Sequence, residues 1–437
     1  MTIDDWLIAL YERVSGTAAT PRSSAAIRRF GPYLGGMIVA KGLSTLGQLL
    51  IGRLLGPAEF GRVAVVLATA NVVAVPLAGA WGTAFVRYAA AQPDSVWMPL
   101  LRWTAMMTLA SSGIVAAVVV AAAPFLAVWL DLPPALVIAG GVLGVGMALW
   151  LLAKFACQGR EDWGRFVAIE LLWGLGLMLG CAAALRVAVP TWVYAVGLFW
   201  FAYLLGTLAA GKYLVAAFSQ QWTHRDRPVV QFGQFALLTS LGNTIILYAD
   251  RFVAQRALGF SEVGVYQVYS FVTVGVATLL VTLVNNFAFP LFAQGDLRAF
   301  ARLFRTSFVR LSPLIVGVLY LAGLAQIGVT GFPLRLGLLA IATLSAVACI
   351  LAAFSGNLVL SQGVVGGRVS ARISGLSLLT FAIGAIPAVR LGGLFGLFAL
   401  YTFIFTGMFW LYQRALDLLP LSASSLDATG RDGRGAC

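Results

Sequence analysis

Apolar stretches of 18 or more residues recur along the whole of this 437-residue chain. Each is long enough to cross a hydrocarbon core of ~30 Å. Hydrocarbon offers no water to a backbone N–H or C=O, so a spanning segment must satisfy its own backbone as a helix. Composition agrees, with 60% hydrophobic and 10% charged residues, against about 25% charged in a soluble domain. We place twelve spans at 32–55, 62–86, 103–128, 135–156, 166–185, 191–213, 235–258, 262–289, 306–327, 336–360, 371–389 and 394–412. No long polar block is left for a separate soluble domain. The expected fold is an all-α polytopic membrane protein with about 12 transmembrane helices.

The net charge of +13 invites a nucleic-acid reading, but the placement of the cations argues against it. With a cytoplasmic N-terminus, 21 of the 29 Lys and Arg fall on inside segments, seven on outside ends and one, Lys41, within a span. That asymmetry sets the orientation by the positive-inside rule, puts both termini in the cytoplasm, and makes the basic character topological. The opening "MTIDDWLIALYERVSG" starts with acids and lacks the basic region of a signal peptide. It reads as an amphipathic segment on the membrane surface. Cys157, Cys181, Cys349 and Cys437 lack ligand-like spacing and read as packing residues. Neither a metal nor a cofactor is expected.

The chain is also written twice. "RLLGPAEFG" at 53–61 and "RALGFSEVG" at 256–264 share Arg, Leu, Gly, Glu and Gly at an offset of 203. Phe30-Gly31 matches Phe232-Gly233 at 202, Gln158-Gly159 matches Gln362-Gly363 at 204, and Gly164-Arg165 matches Gly367-Arg368 at 203. One slowly drifting offset links three separate stations, which a chance match would not do. Each half holds six spans, and an even number returns the chain to its starting side. The halves should therefore be parallel six-helix lobes related by a pseudo-two-fold axis along the membrane normal, as in many secondary transporters. This gives a cytoplasmic segment at 1–29, lobes at 30–218 and 232–412, a polar linker at 219–231 and a disordered tail at 413–437.

"GRLLGPAEFGRVAVVLATANVV" followed by "GTAFVRYAA" resembles the opening of the polysaccharide flippases of the multidrug/oligosaccharidyl-lipid/polysaccharide exporter superfamily. "YADRFVAQRALGFSEVGVYQVYSFV", "FPLFAQGDLRAFARLF" and the two Gln-Gly loops extend the resemblance over about residues 28–412. It implies a transporter, not an enzyme, that moves undecaprenyl-pyrophosphate-linked oligosaccharide from the cytoplasmic to the periplasmic leaflet. It also implies a central cavity lined by the first two helices of each half. The partners would be the bilayer, the lipid-linked sugar and other polysaccharide-assembly membrane proteins.

Such cargo needs a polar route for its head group, and the spans carry candidates. An intramembrane cation is costly unless it has a partner or a wet cavity. Lys41 lies eleven residues beyond Phe30, ~16 Å along a helix and close to mid-bilayer. Lys41, Ser44, Thr45 and Gln48 share one face. The same position in the second half is Asn243, with Asp250 two turns on and Arg251 beside it. Tyr266, Tyr269, Ser270 and Thr273 follow at helical spacing, with Asn285 and Asn286 beyond. We expect Lys41, Gln48, Asn243, Asp250, Arg251, Tyr266 and Tyr269 to line the cavity, Asp250 to couple an ion, and Arg87 to meet the arriving head group. The structural alternatives are snorkelling or a carbonyl contact for Lys41 and an internal ion pair for Asp250–Arg251. Arg53 and Arg256 read as interfacial anchors, Glu59 and Glu262 as turn or cap residues, and Pro76 as a bend.

Rival functions stay open. A multidrug–cation antiporter would hold its cargo with acids, whereas the cations Lys41 and Arg251 here oppose the acids Asp250 and Glu170. A peptidoglycan-precursor flippase shares the lipid anchor and charge. A polytopic polymerase or ligase would need acid–base groups gathered in a large loop, and the outside loops are short. His224, the sole histidine, falls in the linker. "GTLAAGKY" lacks the Ser or Thr that a phosphate-binding loop places after its Lys.

Overall fold

The computed structural model describes residues 21–89, 94–186, 191–219, 227–271 and 297–418, together with residues 5, 12, 275 and 281; residues 21–30, 94, 227–228 and 297–312 are described in backbone only. Most of the amphipathic N-terminal segment and of the linker, with His224, Thr273, Asn285, Asn286 and residues 419–437 of the tail, lies outside the described residues, while residues 413–418, expected to be disordered, continue the last helix.

The described residues are helical, in the order α1 (Pro21–Ala89), α2 (Asp94–Ala121), α3 (Ala123–Leu130), α4 (Pro134–Gly159), α5 (Trp163–Ala184), α6 (Trp192–Leu208), α7 (Gly211–Phe218), α8 (Arg227–Tyr248), α9 (Asp250–Leu258), α10 (Phe260–Ser270), α11 (Leu297–Thr330), α12 (Leu336–Leu360) and α13 (Val364–Leu418). Among them eight helices are long and apolar enough to cross a membrane, or nine if α6 and α7, bent by 72°, count as one span. Two of the eight are double: α1 breaks at Gly56 and α13 at Gly393. The span expected at 262–289 lies mostly outside the described residues, so the number twelve does not follow from these helices alone. Large apolar side chains such as Leu391, Val128 and Phe125 are more than 70% exposed, as a lipid-facing surface requires. This is a multi-pass membrane protein.

The sequence repeat reappears as repeated geometry. Gly56 has φ 73 and ψ 172, and Gly259, 203 positions on, has φ 84 and ψ 171. Only glycine enters this region without a Cβ penalty, and Pro57 further lacks the N–H that would continue a helix. Each glycine therefore makes the turn expected after the first span of its half. Pro76, by contrast, leaves α1 helical.

The contacts across the repeats are reciprocal, as a two-fold relation demands. A Cβ on Gly61 would meet the Phe260 carbonyl oxygen at 1.9 Å, and one on Gly264 would meet the Pro57 oxygen at 2.0 Å. Shifted by 203, each pair becomes the other. Arg53 Nη1 donates to the Val329 carbonyl at 3.4 Å, while Arg256 Nη1 donates to that of Trp129 at 2.6 Å. Both acceptors lie at helix C-termini, of α11 and α3, where a cation is favoured by the backbone dipoles. These arginines, read from sequence as lipid-interface anchors, instead link the halves. A second seam joins the later arm of α1 to α8, where Ser240 Oγ donates to the Val75 carbonyl at 3.2 Å and Trp81 packs against Gly233.

A backbone carbonyl cannot move aside as a flexible side chain can. Gly61→Val and Gly264→Val should each disfavour this closed contact by ~1–3 kcal/mol, the usual cost of overpacking. Spin labels at Val128 and Leu258 should then read a longer distance than in the native chain. Gly42→Val, where a Cβ meets nothing within 4 Å, should leave that distance unchanged.

Candidate functional site

Among the described residues two groups of buried charge stand within the spans, one in each lobe. In the N-terminal lobe, Glu170 on α5 is fully buried and shared by two lysines. Lys41 Nζ is 2.8 Å from its Oε2, and Lys154 Nζ is 2.5 Å from its Oε1. The local fold explains the meeting. Helices α4 and α5 are joined by a tight turn at 160–162, and Lys154 and Glu170 stand at comparable distances from it. The third partner arrives because Gly174, one turn beyond Glu170, lets α5 approach α1 closely; a Cβ there would sit 3.0 Å from the Ala40 carbonyl oxygen.

Aromatic rings complete this cluster. Lys41 Nζ is 5.2 Å from the Trp173 ring centre and 5.9 Å from that of Trp150. Lys154 Nζ lies 4.3 Å from Trp150 and 5.2 Å from Phe166. Tyr203 stacks on Trp173 with rings 6.0 Å apart and 7° from parallel. The ring faces carry negative potential and partly replace the water that an ammonium loses. Two cations nevertheless share one carboxylate, leaving one positive charge in excess. The lysine side chains are 19% and 12% exposed and the glutamate 0%, so an outside anion would reach the cations, Lys41 first.

The C-terminal lobe balances its charge. Asp250 opens α9, is fully buried, and holds Arg251 Nη1 at 2.7 Å. Arg251 also donates from Nη1 to the Leu247 carbonyl and from Nε to Gln267 Oε1 at 3.1 Å. Tyr266 Oη donates to Asp250 Oδ2, and its ring lies 4.9 Å from that of Phe398. Each charge has its counter-charge and further hydrogen bonds, which a buried pair requires to be tolerated.

The structure thus brings Asp250, Arg251 and Tyr266 together and gives Lys41 partners in its own lobe. Gln48 stays on the Lys41 face, donating to the Ser44 carbonyl at 3.3 Å. Asn243 accepts from Ser374 Oγ at 3.1 Å. Tyr269 Oη donates to the Pro333 carbonyl at 3.0 Å and accepts from the Arg335 N–H at 2.7 Å, tying α10 to the loop before α12. Arg87 donates to the Ser361 carbonyl, and its guanidinium lies 5.6 Å from the Phe232 ring. It therefore spans the seam at the Gln-Gly turn after α12. Glu262 stands in the first turn of α10 and Glu59 three residues past the Gly56 break, where a carboxylate meets the positive end of a helix. Glu59 also accepts from the Trp192 N–H at the start of α6 at 3.1 Å and pairs with Arg62, while Glu262 holds Arg335 by two bonds of 2.8 and 2.7 Å. Lys154 and the role of Glu170 escaped the sequence reading, which counted Lys154 among the inside cations. The available signal was three charges on the first, fourth and fifth spans, the last two of them consecutive and antiparallel.

Residues 50–330 match the model of a family described as "Polysaccharide biosynthesis protein". No curated protein matches the chain. Among solved structures, a MOP superfamily transporter from Pyrococcus furiosus is similar at a TM-score of 0.62 and 15% identity, over 90% of this chain and 95% of that one. An outward-facing multidrug resistance MATE family transporter gives 0.61 and 16%, over 91% and 97%. The lipid II flippase MurJ gives 0.54 and 11%, over 90% and 88%. The fold is that of the MOP superfamily transporters, with its two lobes. The chain belongs to the polysaccharide biosynthesis protein family.

The shared carboxylate yields an asymmetric prediction. Glu170→Gln leaves two buried ammonium groups facing each other and should destabilise the protein by ~3–5 kcal/mol, the cost of breaking a buried pair. Lys41→Met leaves Glu170 paired with Lys154 and should cost clearly less. Thermal unfolding of the purified variants in detergent should rank them in that order.

Proposed function

We propose that this protein flips undecaprenyl-pyrophosphate-linked oligosaccharide from the cytoplasmic to the periplasmic leaflet of the inner membrane by alternating access between its lobes. The observation that carries this reading is the excess cation of the Lys41–Glu170–Lys154 cluster. A pyrophosphate is an anion that must leave water to cross, and a lysine already within the span can exchange its carboxylate for a phosphate oxygen. A cationic drug would meet repulsion at the same place. Family membership supports a polysaccharide precursor as cargo, and the fold supports a transport mechanism.

In this reading Lys41 and Gln48 contact the head group from the first lobe and Asn243 from the second. Arg87 guides its entry on the cytoplasmic side. Arg251, Tyr266 and Tyr269 complete the cavity wall, and Asp250 couples movement to a proton or cation. The lobes are 30–218 and 232–412, joined by a cytoplasmic linker at 219–231, with both termini cytoplasmic. Other polysaccharide-assembly membrane proteins would supply and remove the cargo.

The test follows fluorescent undecaprenyl-pyrophosphate-linked oligosaccharide across liposomes containing the purified protein. The native chain should move it, and Lys41→Ala should slow movement about tenfold or more, the effect of losing a charge-assisted contact. Asp250→Asn should abolish the response to an imposed ion gradient. A native chain that leaves the lipid in place but exchanges small organic cations would overturn the reading.

A further inference from the structure

The two lobes fill equivalent positions in opposite ways. At the offset of 202 that links Phe30-Gly31 to Phe232-Gly233, Lys41 corresponds to Asn243, and at the offset of 204 that links Gln158-Gly159 to Gln362-Gly363, Trp150 corresponds to Phe354 and Lys154 to Leu358, so the cations have neutral counterparts. Lys41 is ion-paired with Glu170, whereas Asn243 accepts a hydrogen bond from Ser374 Oγ at 3.1 Å. Where the N-terminal lobe packs charges and indole rings, the C-terminal lobe has a cavity of about 120 Å³ between α8, α12 and α13. Its walls include Asn243, Asn357, Ser370, Ala353, Phe405 and Tyr412, and no lining residue is charged. The Asn357 amide makes no side-chain hydrogen bond to another described residue, so its donor and acceptor are both available.

We propose that this cavity is a binding site for one neutral sugar ring of the cargo. At about 120 Å³ it is smaller than the ~150 Å³ cavity that takes a benzene ring, so it receives one edge of a sugar ring while the rest of the ring and its substituents stay outside its open side. Amides and hydroxyls match a ring that carries both donors and acceptors, and Phe405 and Tyr412 offer aromatic faces to its C–H surface. The lobes then divide the head group: the cationic cluster takes the anionic link, and the neutral cavity takes a sugar. This assignment rests on the transport reading above, but it is measured without transport.

Saturation-transfer NMR on the full chain in detergent, with methyl hexosides and methyl 6-deoxyhexosides as probes, tests it. At least one neutral glycoside should receive saturation from the native protein. Ala353→Trp, which puts an indole into the cavity from its wall, should abolish the signal. Asn357→Leu, which loses an amide of similar size, should weaken binding about tenfold. Melting at the native temperature would show that both variants are folded, and Asn357→Leu breaks no bond on which the fold relies. Absence of signal from every glycoside, or an unchanged signal in both folded variants, overturns the site and leaves a cavity filled by water. A chain that flips lipid-linked oligosaccharide but binds no glycoside overturns the site alone. One that binds glycosides but flips nothing upholds the site and overturns the transport reading.

Discussion

Backbone meets backbone where the two repeats cross, at Gly61 against Phe260 and at Gly264 against Pro57. No side chain separates the lobes there, so their relative position depends on two glycines being glycines. The same crossing places the Gly56 and Gly259 turns and brings Arg53 and Arg256 within reach of the opposite helix ends. Around it Phe60, fully buried, packs against Phe271 and Phe332 of the other half.

Inside each lobe the constraint is electrostatic. An ion in hydrocarbon needs a partner, and the two lobes satisfy this requirement differently. The N-terminal lobe gathers two lysines, one glutamate and a ring of aromatics, and retains a surplus positive charge. The C-terminal lobe closes its Asp250–Arg251 pair with a tyrosine, a glutamine and a backbone carbonyl, and retains none. An ancestral duplication makes the lobes alike in path, and substitution at matched positions makes them unlike in chemistry. A transporter with one asymmetric cargo has use for that difference.

Transport and stability draw on the same groups. Glu170 holds Lys41 and Lys154 at one depth, so removing it disturbs the fold as well as any anion site. Lys41 is the more separable member because Lys154 still neutralises the glutamate. The lobe-crossing glycines behave differently again, since changing them alters the balance between conformations while leaving each lobe's packing untouched.

By itself the sequence determined the membrane class, the doubling and the turns. Hydrocarbon forces apolar runs into helices, a duplication leaves a constant offset, and Gly-Pro at 56–57 admits few backbone conformations. Lys41, Asp250 and Arg251 stood out as charges where charge is costly. What they touch was decided only in three dimensions. Glu170 lies 129 positions from Lys41, and nothing local says that Gly174 draws α5 against α1 until the ion pair forms. Arg53 and Arg256 likewise read as lipid anchors because sequence records depth but not the neighbour across the seam. The cavity beside Asn243 had no sequence signature of its own, since it arises where residues of α8, α12 and α13, distant in sequence, leave a space between them.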